Sequence, residues 1–285
     1  MSSIPLMNPS TKFLVDSFIK NPAGAIGLNG PKNSGKLLIA KYLCSQALHL
    51  KPNEFDAKVD IIECADKSGI DDIRALKKNL SIKSIGEKGS FSRAVIMSDF
   101  HKISIPAQNS TLKLLEEPPA DTILIILVDS KSSILPTIVS RLQWADVLPL
   151  DLTTFEKNYS QYEKSEIKQA YLLSDGFLLS FEKMLQDEKN AIRLAVNDVK
   201  KILKLKKYER ISSLDKILNN QNYTPEEFLT ALQKIYSILV HREIENGTKL
   251  QTRILSGLEQ VIEAKESLKY NPNQKLLLTN LFYKI

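Results

Sequence analysis

Cysteine and histidine are scarce in this chain. Among 285 residues there are two cysteines, Cys44 and Cys64, and three histidines, His49, His101 and His241. No C-x-x-C pair occurs, which removes the usual spacing of a structural zinc site, so no zinc is expected. The two cysteines lie in or just after apolar runs and read as buried thiols of a reducing cytosol rather than as ligands or nucleophiles. No apolar stretch reaches membrane-spanning length, so no membrane partner is expected. Met1 to Pro5 lacks a charged region leading into a long apolar one, so no signal peptide is expected and the location is read as cytoplasmic. Internal repeats are also missing. The excess of positive charge is small, +6, a weak pointer to polyanions that solvated lysine explains equally well.

The length suits two or three domains. One stretch carries specific chemistry. Gly30-Pro31-Lys32-Asn33-Ser34-Gly35-Lys36-Leu37 fits the phosphate-binding pattern G-x-x-x-x-G-K-[ST] at every fixed position except the last. Gly30 and Gly35 allow backbone N–H groups to turn inward around phosphates, and Lys36 reaches the terminal ones. A hydroxyl after the lysine would hold Mg²⁺, and Leu37 has none. The apolar run Ala25–Leu28 before the loop and the helical run Leu37–Leu48 after it supply the strand and helix that the motif needs. A glycine turn with a surface lysine is the plainer alternative.

Strand-like and helix-like runs alternate to about Leu150. Val59–Glu63, Ala94–Met97 and Thr122–Val128 read as strands. Ile70, Ile73, Leu76 and Leu80 recur at helical spacing, and Ile105–Glu117 reads as a helix stopped by Pro118-Pro119. The alternation predicts a parallel sheet flanked by helices. After Leu150 the strand signal vanishes. Asp151–Gln186 reads as short helices around Gly176, and residues from about Asn190 to Ile285 read as helices throughout. Thr224-Pro225-Glu226-Glu227 has the form of an N-cap with proline at the first helical position. The lysine-rich run Lys200–Lys207 reads as a solvated helix face or as a nucleic-acid contact.

A hydrolysing loop enzyme also needs an acid at the end of a neighbouring strand and a residue that positions water. The strand Ala94–Met97 ends in Ser98-Asp99. Ser98 is uncharged where a metal-binding acid is required, and Asp99 is a short occupant of the base position. Leu37 and Ser98 are thus two independent losses at one metal site. Ser140-Arg141 ends a short helical run, Pro136 to Arg141. An arginine there either complements the helix C-terminus or is presented to a phosphate bound on another subunit.

Three segments, Phe91–Ile105, Leu112–Pro119 and Thr137–Arg141, together resemble the clamp-loader branch of the AAA+ ATPases. Asn109–Pro119 is close to that family's N-x-L-L-K-x-L-E-E-P-P. Gly69–Arg74 resembles the segment after its second strand, and Tyr270–Leu278 the start of its last collar helix. Within the branch the degenerate metal site is most similar to that of the delta-prime subunits of bacterial DNA polymerase III. The resemblance implies a P-loop AAA+ core with a parallel sheet at 1–150, a small helical lid at 151–188 and an all-α collar domain for oligomerisation at 189–285. It implies a stator that does not hydrolyse ATP, with Arg141 as a finger in trans and Ser140 beside it. It also implies a heteropentamer with motor subunits and a delta subunit, acting on a sliding clamp and primed DNA. Gly30, Gly35, Lys36, Leu37, Ser98 and Asp99 would form a degenerate nucleotide site, with no cofactor required and weak ATP or ADP binding at most.

Several departures are visible. Leu142 stands where the family has cysteine after the Ser-Arg pair. The connection His49–Lys58 has no cysteine, so the zinc module of many relatives is expected to be absent. Val128-Asp129 stands where active members carry threonine or asparagine as first sensor. The second sensing arginine is missing from Gly176–Ser180. The competing readings are a motor subunit of the same loader and a replication or repair binding module outside any loader.

Overall fold

The computed structural model describes residues 4–22, 24–64, 91–187, 189–247 and 251–285. Gly69–Arg74 and the spacing of Ile70, Ile73, Leu76 and Leu80 lie outside them. The chain divides into two compact units, one of residues 1–157 with 176–179 and one of residues 158–175 with 180–285.

The first unit is built on five parallel strands. These are β1 (Ala25–Asn29), β2 (Val59–Glu63), β3 (Arg93–Ser98), β4 (Thr122–Val128) and β5 (Gln143–Asp146), in the order β2-β3-β4-β1-β5. The strand β4 reads Thr-Ile-Leu-Ile-Ile-Leu-Val and all its residues are buried. A central parallel strand covered on both faces requires such an unbroken apolar run. Alternate residues serve opposite sides. Leu124, Ile126 and Val128 pack with Val95, Met97 and Phe100. Ile123, Ile125 and Leu127 pack with Ile26, Leu28, Ile39 and Leu43.

The flanking helices are α1 (Pro9–Lys20), α2 (Lys36–Ala47), α3 (Phe55–Lys58), α4 (Ile105–Glu116), α5 (Pro136–Val139) and α6 (Leu152–Asn158). Helix α1 is capped by the Asn8 side chain, which accepts from the Ser10 N–H, and has Pro9 at its first position. Helix α4 starts at Ser104, whose hydroxyl accepts from the Ala107 N–H, and stops before Pro118-Pro119. Cys44 and Cys64 are both buried and free. Burial pushes the Cys44 thiol up to about 12, and burial with the nearby Asp99 charge pushes Cys64 up to about 11. Neither is a thiolate at neutral pH, in keeping with inert core thiols.

The second unit is helical among its described residues. It contains α7 (Lys164–Ser174), most of α8 (Leu178–Gln186), α9 (Ala191–Ile202), α10 (Lys207–Ser212), α11 (Leu214–Leu218), α12 (Pro225–Glu245), α13 (Thr252–Ser267) and α14 (Gln274–Lys284). The Thr224 cap is present in full: its hydroxyl accepts from the Glu227 N–H, and Glu227 accepts from the Thr224 N–H. Phe228 lies at the centre, against Tyr223 and Phe282. The lysine run Lys200–Lys207 is not one helix face. Helix α9 ends at Ile202 and α10 begins at Lys207, so the run spans a junction.

A buried arginine fastens that junction. Arg210 is 7% exposed. It donates to the carbonyls of Leu205 (3.0 Å), Leu203 (2.9 Å) and Ile285 (3.2 Å). Those carbonyls lose charged donors in Arg210→Ala, and hydrogen bonds to charged groups are the stronger kind. The expected result is a loss of about 3 kcal/mol of stability in denaturant titration. Arg210→Lys should recover only part, because a point ammonium cannot span the fork. Wild-type stability in Arg210→Ala would mean that solvent satisfies these carbonyls.

Candidate functional site

The glycine loop joins β1 to α2 at the carboxyl ends of the strands, where open parallel sheets bind ligands. Gly35 adopts φ +98°, a left-handed conformation that favours glycine, and Asn33 is at φ +61°. Ser34 Oγ is buried in the loop with no hydrogen-bond partner among the described residues. A cleft beside the loop is lined by Pro5, Met7, Ser34, Gly35, Leu38 and Leu178. The backbone therefore has the shape of an anion cradle.

Lys36 is only 8% exposed and points back into the protein. Its ammonium donates to Gly30 O at 2.7 Å and to Pro31 O at 3.4 Å, and it forms an ion pair with Asp129. Asp129 follows β4 directly. The Gly30 N–H donates to the Val128 carbonyl at 3.1 Å, which holds that strand end against the loop. His101 Nε2 lies 3.7 Å from the second Asp129 oxygen, and His101 Nδ1 is buried without a partner among the described residues.

Leu37 packs against the core beneath the loop. Ser98 ends β3 and its hydroxyl donates to the Ile62 carbonyl at 3.3 Å. Asp99 is in a left-handed conformation, φ +51°. Burial pushes its carboxyl up, but the Lys102 hydrogen bond and charge, with His101 and Lys36, outweigh that and hold it below the usual range. The Lys102 bond is 2.7 Å long. Asp99, His101 and Asp129 bring ligand atoms within 4.8 Å of one another. Both carboxylates already face lysines, so a divalent cation would have to displace two ammonium groups. The donor set around the loop does not fit Mg²⁺, which is bound through carboxylate and hydroxyl oxygens with retained water.

The second part of the site is Arg141. The helical run expected to reach Arg141 ends at Val139, two residues before it, and two side chains, Gln108 and Trp144, fix that short helix α5. Buried Gln108 of α4 donates to the Ile103 carbonyl at 3.2 Å and accepts from the Leu135 N–H at 3.0 Å. Trp144 of β5 donates its indole N–H to the Val139 carbonyl at 2.9 Å. Trp144 lies over Gly27, where a Cβ would meet its ring at 2.4 Å, so only glycine lets the ring settle on the strand. On this base Arg141 pairs with Glu116 at the end of α4 and donates to the Thr137 carbonyl at 2.7 Å. Its side chain is 35% exposed. Ser140 Oγ donates to the same carbonyl at 3.2 Å.

Gly30, Gly35, Lys36 and Leu37 thus lie together at the loop, with Ser98 and Asp99 at the end of β3. Arg141 and Ser140 form a separate group at the end of α5. The sequence reading placed Asp129 only as an altered sensor and gave His101 and Glu116 no role. A carboxylate directly after the most apolar strand was the available signal for Asp129. Glu116 lies within the segment Asn109–Pro119, but its pairing with Arg141 depends on tertiary contact.

Comparison with known proteins places this geometry. Residues 14–151 match the family described as DNA polymerase III, delta subunit. The DNA polymerase III subunit gamma/tau of Mycobacterium tuberculosis is 27% identical over 132 residues, 40% of this chain and 22% of that protein. The DNA polymerase III subunit delta' of Haemophilus influenzae is 30% identical over 133 residues, 44% of this chain and 40% of that protein. The match thus spans less than half the length of these relatives. A crystal structure of a DNA polymerase III gamma subunit-related protein from Thermotoga maritima has the same fold, with a TM-score of 0.60 at 18% identity over 96% of this chain and 97% of that one. Residues 14–151, which hold the loop, Ser98, Asp129 and Arg141, are thus similar to the delta, delta' and gamma/tau subunits of DNA polymerase III.

Proposed function

We propose that this chain is the non-hydrolysing stator subunit of a bacterial replicative clamp loader. It presents Arg141 to the ATP site of a neighbouring motor subunit while a sliding clamp is loaded on primed DNA in the cytoplasm. The observation that carries the reading is the contrast between two halves of one unit. The loop has Leu37 and Ser98 where metal-binding side chains would stand, yet the short helix just before Arg141 is fastened by Gln108 and Trp144. A cationic fork at a surface can stabilise charge on a transferring phosphoryl group of a partner.

In this reading residues 1–150 form the core, 151–188 the lid and 189–285 the collar. Exposed apolar side chains in the last region, among them Ile244, Leu255, Ile262 and Leu276, suit burial against other subunits. The experiment is reconstitution with the motor and delta subunits of the same polymerase. One copy is expected in a heteropentamer, and its addition should raise DNA-stimulated ATP turnover. Failure to co-elute with those subunits, or turnover unaffected by its presence, would remove the stator reading.

A further inference from the structure

We infer that Asp129 is the residue that shuts this loop to nucleoside polyphosphates, by standing where their terminal phosphate would be held. The inference concerns the chain's own loop and is independent of Arg141.

An ammonium group has three N–H donors and no acceptor. Lys36 directs its donors to Gly30 O at 2.7 Å, Pro31 O at 3.4 Å and the Asp129 carboxylate. All three acceptors belong to the protein, so no donor is left for a phosphate oxygen. The lysine that should attract the phosphate chain is both neutralised and turned away. The backbone that carries Asp129 is held at the loop by the Gly30 N–H to Val128 carbonyl bond, and its carboxylate is held by Lys36. A nucleotide entering the cradle would meet a fixed negative charge beside the lysine it seeks, and like-charge juxtaposition is strongly unfavourable.

The backbone remains suited to an anion, with Gly35 at φ +98° and Ser34 Oγ unpartnered among the described residues. The obstacle is therefore one side chain rather than a ruined loop. Replacing that carboxylate should restore an affinity that the glycines still support.

The test is equilibrium binding of ATP to the intact chain, without Mg²⁺, by calorimetry. Asp129→Asn removes the charge at constant shape, and Asp129→Thr is a smaller second variant. Thermal melting checks that each is folded. Wild type should bind only in the millimolar range or weaker, and each variant should bind about tenfold tighter or more. The gain should vanish when Lys36→Ala is added to Asp129→Asn. Equal affinity in wild type and the folded variants overturns the inference, as does a gain that survives Lys36→Ala. Micromolar binding by wild type overturns it directly, whatever the variants do. None of these results bears on partner turnover, which tests Arg141 separately.

Discussion

Arg141→Ala in a reconstituted loader is expected to leave assembly intact, reduce total ATP turnover in part and reduce clamp loading further. The size follows from the number of sites. A trans-acting arginine is worth about 10³–10⁵ in rate at a lone active site. A loader with several sites loses the finger at only one, so hydrolysis falls partially. Loading depends on the sites acting together and should fall more.

The contacts of Arg141 within its own chain allow the test to be clean. In its pair with Glu116 the two side chains are 35% and 45% exposed. Pairs of that kind contribute under about 1 kcal/mol, so the variant should fold. Glu116→Gln separates the two roles. If the arginine serves only this ion pair and the α5 carbonyl, Glu116→Gln and Arg141→Ala should differ little in the assembly. If it acts in trans, only Arg141→Ala should lower turnover. Arg141→Lys should not rescue fully, since lysine lacks the planar fork for phosphate oxygens. Unchanged turnover in Arg141→Ala, or an unfolded subunit, would return this residue to its helix-end contacts.

The parts of the fold that were legible are those fixed by local chemistry. Thr122–Val128 was read as a buried strand because seven consecutive apolar or β-branched residues leave no polar face, and β4 has those bounds. Pro118-Pro119 marked the end of α4, and Thr224-Pro225 the start of α12. The loop's position between a strand and a helix followed from the apolar run Ala25–Leu28 before it and the helical run Leu37–Leu48 after it. Other elements escaped. β5 reads Gln-Trp-Ala-Asp and takes its strand form from pairing with β1, a tertiary cause with little local trace. The first helix, α1, had a local signal in Asn8-Pro9 that the reading passed over. The junction within Lys200–Lys207 was hidden because its organiser, Arg210, lies beyond the run and acts through buried carbonyl contacts. At the site, the lack of metal-binding atoms at Leu37 and Ser98 is an expectation from the sequence that hydrolysis measurements test. The partnership of Lys36 with Asp129 was not legible, because it joins residues 93 positions apart.

Those losses together set the remaining expectation: the isolated chain should show no Mg²⁺-dependent ATP hydrolysis above background, where typical enzymes turn over at about 1–10³ s⁻¹. Each required group fails for its own reason. Leu37 offers carbon where a hydroxyl should meet the metal, and it is packed against the core. Ser98 is neutral and its hydroxyl faces the Ile62 carbonyl. Asp99 is one methylene shorter than glutamate and is bonded to Lys102. Lys36 is engaged by Asp129. Because metal, base and phosphate contact act as a unit, repairing one should not restore rate. Ser98→Asp alone, or Asp129→Asn alone, should remain at background even if the second binds ATP. The decisive control is Lys36→Ala. Turnover near 1 s⁻¹ that Lys36→Ala abolishes would show a working site and favour the motor-subunit reading. Turnover that survives Lys36→Ala would belong to a contaminant, since no loop chemistry proceeds without the phosphate-binding lysine.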